Sequence, residues 1–141
     1  MKRTATAVWT GGLKDGKGRL TTASGVLRDA QYSFGTRFEN GVGTNPEELI
    51  AAAHAGCFAM AFSAQLGGAN ITPASIEASA EVSLEKLDAG WTITASHLRV
   101  RAKAPGADRA AVEKAAGDAK ANCPVSRLLN AKITMELTAE T

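Results

Sequence analysis

Asn45 to Gly68 read NPEELIAAAHAGCFAMAFSAQLGG, and the rest of the chain is organised around this segment. Asn45 is a strong N-cap, and Pro46 falls at the first helical position, where its missing N–H costs nothing. Glu48 stands where a capping box needs it. Gly67 and Gly68 mark the expected end. The alanines and Gly56 leave no broad polar face, which predicts a helix covered on nearly all sides. Leu49 to Leu66 carry no formal charge and match a membrane span in length. The alanine content and the polar His54, Ser63 and Gln65 make lipid a poor solvent for them, so a buried helix of a soluble protein is expected.

Upstream, Thr4–Thr10 and Arg19–Ser24 read as strands joined by the turn GGLKDGKG, with a short third strand at Tyr32–Phe34. No Gly-Lys-Ser/Thr follows those glycines and no helix opens there, so the turn is a hairpin and not a phosphate loop. Downstream, Ile76, Ala78, Ala80, Val82 and Leu84 alternate with polar residues to make a half-buried strand. After a turn at residues 88–90, Trp91, Ile93 and Ala95 are expected to point inward, and then Leu98, Val100 and Ala102 take over. That change of parity predicts a β-bulge near Ser96 and His97. A helix over Asp108–Ala121, a short one from Pro124 and a last strand over Ile133–Thr138 follow. No repeat or linker interrupts the sequence. It reads as α+β, a single domain over residues 1–141.

Of the 141 residues 45% are hydrophobic but only 5% aromatic, and much of the apolar content is alanine. A monomeric core would be thin, and oligomerisation would reinforce it. A net charge of +2 favours neither nucleic acid nor an anionic membrane surface. The opening MKRTATAVWTGG lacks the apolar core of a signal peptide, which predicts a cytoplasmic protein. There, two cysteines are more often redox-active or inert than a structural bridge.

Cys57 shares its helical face with Ala53, His54, Met60 and Ala61. Such surroundings raise a thiol pKa, so a nucleophilic role requires an imported cation. Arg37, ahead of the helix, is the candidate, with Glu47 or Glu48 to pair it. Cys123 precedes Pro124 near a helix N-terminus, where unpaired N–H groups favour thiolate. On local electrostatics it is the better nucleophile, and sequence physics alone leaves open which thiol attacks first. A zinc site of His54, Cys57, His97 and Cys123 lacks the two close-spaced ligand pairs usual for structural zinc. No Gly-x-Ser-x-Gly elbow supports a hydrolase.

TRFENGVGTNPEELIAAAHAGCFAMAF together with NCPVS resembles the osmotically inducible protein C and organic hydroperoxide resistance (OsmC/Ohr) family of thiol peroxidases. The chain is closer to the OsmC branch, since its arginine lies in the TRF segment. The resemblance implies that Cys57 is the peroxidatic thiol, Cys123 the resolving thiol, Arg37 the clamp on thiolate and peroxide, and Glu47 its orienting carboxylate; Arg19 is the second choice of clamp, because the Ohr branch takes its arginine from that hairpin region. It further implies antiparallel sheets wrapped around central helices in an intertwined homodimer, cytoplasmic location, and no metal or organic cofactor. The expected substrate is an alkyl or lipid hydroperoxide. The product disulfide joins Cys57 to Cys123 and is reduced by an external dithiol, a lipoyl protein or a thioredoxin-like one. The competing reading is a non-catalytic structural or ligand-binding dimer with inert cysteines.

Overall fold

A computed structural model describes all residues 1–141, which divide into two compact units, Met1–Leu49 and Ile50–Thr141. In the first unit, strands β1 (Ala5–Thr10), β2 (Lys17–Thr22) and β3 (Ala30–Tyr32) form an antiparallel sheet in that order. Gly18 on β2 lies beneath the Tyr32 ring, where a Cβ would come within 2.2 Å of a ring carbon, so only glycine fits. The third strand ends earlier than expected. At Ser33 the chain turns into a five-residue helix, α1 (Phe34–Phe38), which the sequence reading had as strand and loop. A reciprocal capping box makes this turn: Thr36 N–H donates to the Ser33 hydroxyl at 3.2 Å and Ser33 N–H to the Thr36 hydroxyl at 2.8 Å.

Helix α2 (Pro46–Gly68) starts as its sequence predicts, with the Glu48 N–H donating to Asn45 Oδ1 at 2.8 Å. The second half of its capping box is replaced, because the Glu48 carboxylate accepts from the Thr44 hydroxyl at 3.0 Å instead. At the other end the helix stops at Gly68, as expected, although a later residue makes the cap. Asn70 adopts φ +58°, Ile71 N–H reaches the Leu66 carbonyl and Asn70 N–H the Gly67 carbonyl, which together make a Schellman motif.

The second unit contains β4 (Ser75–Leu87), β5 (Gly90–Lys103), α3 (Arg109–Asn122), α4 (Pro124–Leu128) and β6 (Lys132–Glu140), in a sheet ordered β4-β5-β6. β4 and β5 are antiparallel, as alternation and a tight turn require. β5 and β6 are parallel, which corrects the expectation of purely antiparallel sheets. The crossover through α3 and α4 brings the chain back to the end from which β5 started. The bulge lies slightly earlier than predicted: Ser83 faces Ala95 and Leu84 faces Ile93, so Thr94 is the extra residue. Ala95 thereby leaves the inner face, and Ser96 is delivered into the core fully buried.

Phe58, Phe62 and Leu66 form a buried stripe on α2. They belong to one core with Leu98, Val100 and Ala102 of β5, Val112, Ala115, Ala116 and Ala119 of α3, and Cys123. By length and composition α2 suits a membrane span, yet this stripe is built into the core. Coverage is one-sided, against expectation: within one chain Ala52, Ala53, Gly56, Met60 and Ala64 are exposed.

Candidate functional site

Cys57 lies one helical turn beyond His54 on α2 and is half-buried, whereas Cys123, at the junction of α3 and α4, is fully enclosed; both are free thiols. Cys123 caps α3 through its own N–H, bonded to the Ala119 carbonyl at 2.8 Å, and is also the N-cap of α4, with Pro124 at its first turn. The Cys–Pro sequence thus ends one helix and starts the next around a single sulfur. The two thiols are hydrogen-bonded to each other.

Their electrostatics differ. Burial pushes the Cys57 thiol up, the hydrogen bond it donates to Cys123 and the charge of that neighbour raise it further, and the Val125 N–H offsets only part of this. Burial acts in the same sense on Cys123. There, however, hydrogen bonds from the Cys57 thiol, from the N–H and hydroxyl of Ser126 and from the Val125 N–H outweigh it, and its pKa falls below that of an ordinary thiol. Within a single chain Cys123 is therefore the more acidic of the two thiols, as the helix-terminus argument anticipated.

His54 completes this cluster. Its ring is fully buried, with Nδ1 2.7 Å from the Ser96 hydroxyl and Nε2 2.8 Å from the Ser126 hydroxyl, and burial lowers its pKa, which keeps the imidazole neutral. Sequence reasoning missed both serines. Ser126 stands at the third position of α4, facing back towards its N-cap, which is the one local signal that pointed to it. Ser96 is brought inward by the bulge.

The four residues weighed for zinc do not converge. His97 follows Ser96 on β5 and so points to the opposite face, where Nδ1 lies 2.6 Å from the Thr134 hydroxyl and Nε2 3.8 Å from Glu136.

Arg37 and Glu47 meet within the first unit. Arg37 occupies the last turn of α1 and Glu47 the first turn of α2; Nη2 donates to Oε1 at 2.7 Å, and Nε lies 3.2 Å from both carboxylate oxygens. Such a fork-to-carboxylate grip fixes the guanidinium plane. Glu48 takes no part. The guanidinium carbon lies 5.4 Å from the centre of the Phe38 ring, and beside it opens a cavity of about 310 Å³ lined by Trp9, Leu13, Tyr32, Phe34, Phe38 and Pro46. Arg19 instead donates to the Asp29 carbonyl at 3.3 Å from an exposed position on β2. The site residues predicted from sequence thus fall into two pairs, Arg37 with Glu47 and Cys57 with Cys123, each within its own unit.

Known proteins resemble this chain along nearly its whole length. Residues 38–138 match the family described as OsmC-like protein. The chain is 52% identical over 130 residues to peroxiredoxin OsmC of Escherichia coli strain K12, covering 92% of this chain and 91% of that one. It is 30% identical over 138 residues to the organic hydroperoxide resistance protein of Xanthomonas axonopodis pv. citri, covering 96% and 92%. Among solved structures, the organic hydroperoxide resistance protein OhrB of Bacillus subtilis superposes with a TM-score of 0.74 at 30% identity, covering 96% of this chain and 98% of that one.

Proposed function

The chain belongs to the OsmC-like family, and from that premise we propose that it is a thiol-dependent peroxidase reducing organic hydroperoxides to alcohols. The observation that carries the reading is the pair of free thiols in mutual hydrogen-bond contact, one accessible and one enclosed. Only the accessible sulfur can meet a peroxide, so Cys57 attacks. Its thiolate displaces alkoxide from the distal peroxide oxygen, the alkoxide takes a proton and leaves as alcohol, and Cys57 becomes a sulfenic acid. Cys123 then attacks the Cys57 sulfur. The S–O bond breaks, hydroxide leaves as water after taking a proton, and a Cys57–Cys123 disulfide remains for an external dithiol to reduce.

Burial and the neighbouring Cys123 push the Cys57 thiol up, so attack requires a positive charge beside it. Arg37, held by Glu47, supplies that charge and a hydrogen bond to the peroxide. The aromatic cavity next to Arg37 suits an alkyl or lipid tail, which favours organic hydroperoxides over hydrogen peroxide. The exposed small-residue face of α2 and the exposed strand β1 support a homodimer in which Arg37 and Glu47 of one subunit serve Cys57 of the other. The 141 residues then act as one functional domain. The chemistry is that of two thiols and calls for no metal or organic cofactor. The need for reduced thiols supports a cytoplasmic setting.

Thiol titration before and after one equivalent of cumene hydroperoxide tests this. The wild type should lose two thiols and form an intramolecular disulfide. Cys123→Ser should reduce one equivalent and stop as sulfenic acid, and Cys57→Ser should not react. If both thiols survive in the folded protein, the chain is the inert dimer instead.

A further inference from the structure

His54 is a buried titratable group for which the peroxidase cycle just described has no use. It lies in a chain of hydrogen bonds running from Ser96 Oγ to Nδ1, across the ring, and from Nε2 to Ser126 Oγ, which in turn bonds Cys123. Only two proton arrangements satisfy this chain. In one, Ser96 O–H donates to Nδ1, Nε2–H donates to Ser126, and Ser126 O–H points at the Cys123 sulfur. In the other every donor is reversed, and the Cys123 thiol donates to Ser126.

The two arrangements are not equivalent. Ser96 is fully buried and its hydroxyl has no side-chain or backbone partner besides His54. Reversal would leave the Ser96 hydrogen without an acceptor in a dry core, a penalty the first arrangement avoids. Ser96 therefore selects the Nε2–H tautomer, and His54 passes that polarity to the α4 end. Within one chain no carboxylate, lysine or arginine acts on Cys123; the titratable groups facing it are Cys57 directly and His54 through Ser126, both from α2.

We propose that Ser96, His54 and Ser126 form a polarised relay that positions Cys123 as a thiolate for the second step, the attack on the Cys57 sulfenic acid. The inference rests on the peroxidase reading and adds three positioning residues to it. They do not touch the peroxide. In the step they serve, the Cys123 sulfur bonds to Cys57, the Cys57 S–O bond breaks, and the departing hydroxide is protonated to water. The relay raises the share of Cys123 that is already thiolate when that attack begins.

The signature is a crossing of pH profiles. Removing the Ser126 hydroxyl should move the midpoint of disulfide closure up by about one pH unit. Below the midpoint the thiolate fraction falls about tenfold, while the more basic thiolate is about threefold more nucleophilic, so closure slows by about threefold. Above it the variant closes faster than the wild type. A merely structural defect would lower the rate at every pH.

Single-turnover oxidation by one equivalent of cumene hydroperoxide, quenched at intervals and resolved by mass spectrometry with dimedone trapping of Cys57, reads both steps. Ser126→Ala should form sulfenic acid no more slowly than wild type and show the shifted, crossing closure profile. Ser96→Ala should shift it in the same direction, and Ser126→Thr should restore it. A closure midpoint in Ser126→Ala coincident with wild type, or a uniform slowing at all pH values, overturns the relay. The Cys123 midpoint can also be read without peroxide, from thiolate ultraviolet absorbance in the Cys57→Ser background with and without Ser126→Ala. A wild type that does not react with hydroperoxide defeats the peroxidase reading, whereas an unmoved Cys123 midpoint in that titration defeats the relay.

Discussion

Glu47 holds the Arg37 guanidinium in one plane, and in the proposed mechanism Arg37 brings the positive charge that Cys57 lacks in its apolar helix. Replacing Arg37 with methionine removes a charged hydrogen bond to thiolate and peroxide, a loss of about 2–3 kcal/mol and so roughly 30- to 150-fold in kcat/KM. Rates within twofold of wild type for Arg37→Met would deny Arg37 the clamp role. His54 makes a different kind of prediction, about stability. Its folded-state pKa lies below the ordinary value of 6.5. Above that pH the ring is neutral both folded and unfolded; as pH falls through it, the unfolded chain takes up the proton first and gains. Stability should therefore decline from about pH 6.5 downward until the folded-state pKa is reached. Urea unfolding between pH 5 and 8, at fixed protein concentration, should show this slope in wild type and a flatter one in His54→Asn; equal slopes would mean His54 is not held neutral. The two thiols were legible from motif and resemblance. The relay was not, because its bonds join residues 42 and 72 positions apart and depend on a bulge and a helix start that place two unremarkable serines.

Helix starts were the most legible elements, because a cap is a local device. Asn45 shows how much depends on one: its Oδ1 accepts from Glu48 N–H, and its amide donates to the Thr36 carbonyl at 3.0 Å, tying α2 to the turn that carries Arg37. Asn45→Ala should cost about 1–2 kcal/mol in denaturant unfolding and loosen the Arg37–Glu47 pair, reducing activity more than a distant substitution of equal destabilisation. An unchanged denaturation midpoint would mean that α2 does not depend on this cap. Helix α1 escaped notice because five residues are too few for any periodicity, and only the Ser33–Thr36 box defines it. The direction of β6 is likewise absent from its own alternation. It is set by the path through α3 and α4 and becomes visible only once those helices are placed. The helix ends at Gly68 as expected, but its cap was misassigned for a plain reason: glycine is the commonest left-handed residue at a C-terminus, and here Asn70 takes that position, three residues after Gly67.

For the whole molecule, the peroxidase reading requires two pairs of residues to serve one reaction. Glu47 and Cys57 are ten positions apart on α2, about 15 Å along a straight helix at 1.5 Å per residue. An arginine gripped by Glu47 cannot readily hold the sulfur of its own chain across that span. Two copies of α2 packed antiparallel about a two-fold axis would set the start of one beside the middle of the other. The exposed Ala52, Ala53 and Gly56, with nothing within 4 Å of a Cβ built on Gly56, allow the close approach this needs. Pairing two defective chains should then rebuild a site. Cys57→Ser lacks the attacking sulfur and Glu47→Gln lacks the anchor. In their heterodimer one site combines the intact Arg37–Glu47 pair of the first chain with the intact Cys57 of the second. Co-refolding equal amounts should give heterodimers as about half of all dimers, each with one working site of two. About a quarter of wild-type activity per site should therefore return, against the low activity of either parent. Heterodimers seen by native mass spectrometry without recovered activity would place all four groups in one chain and require α2 to break between residues 47 and 57.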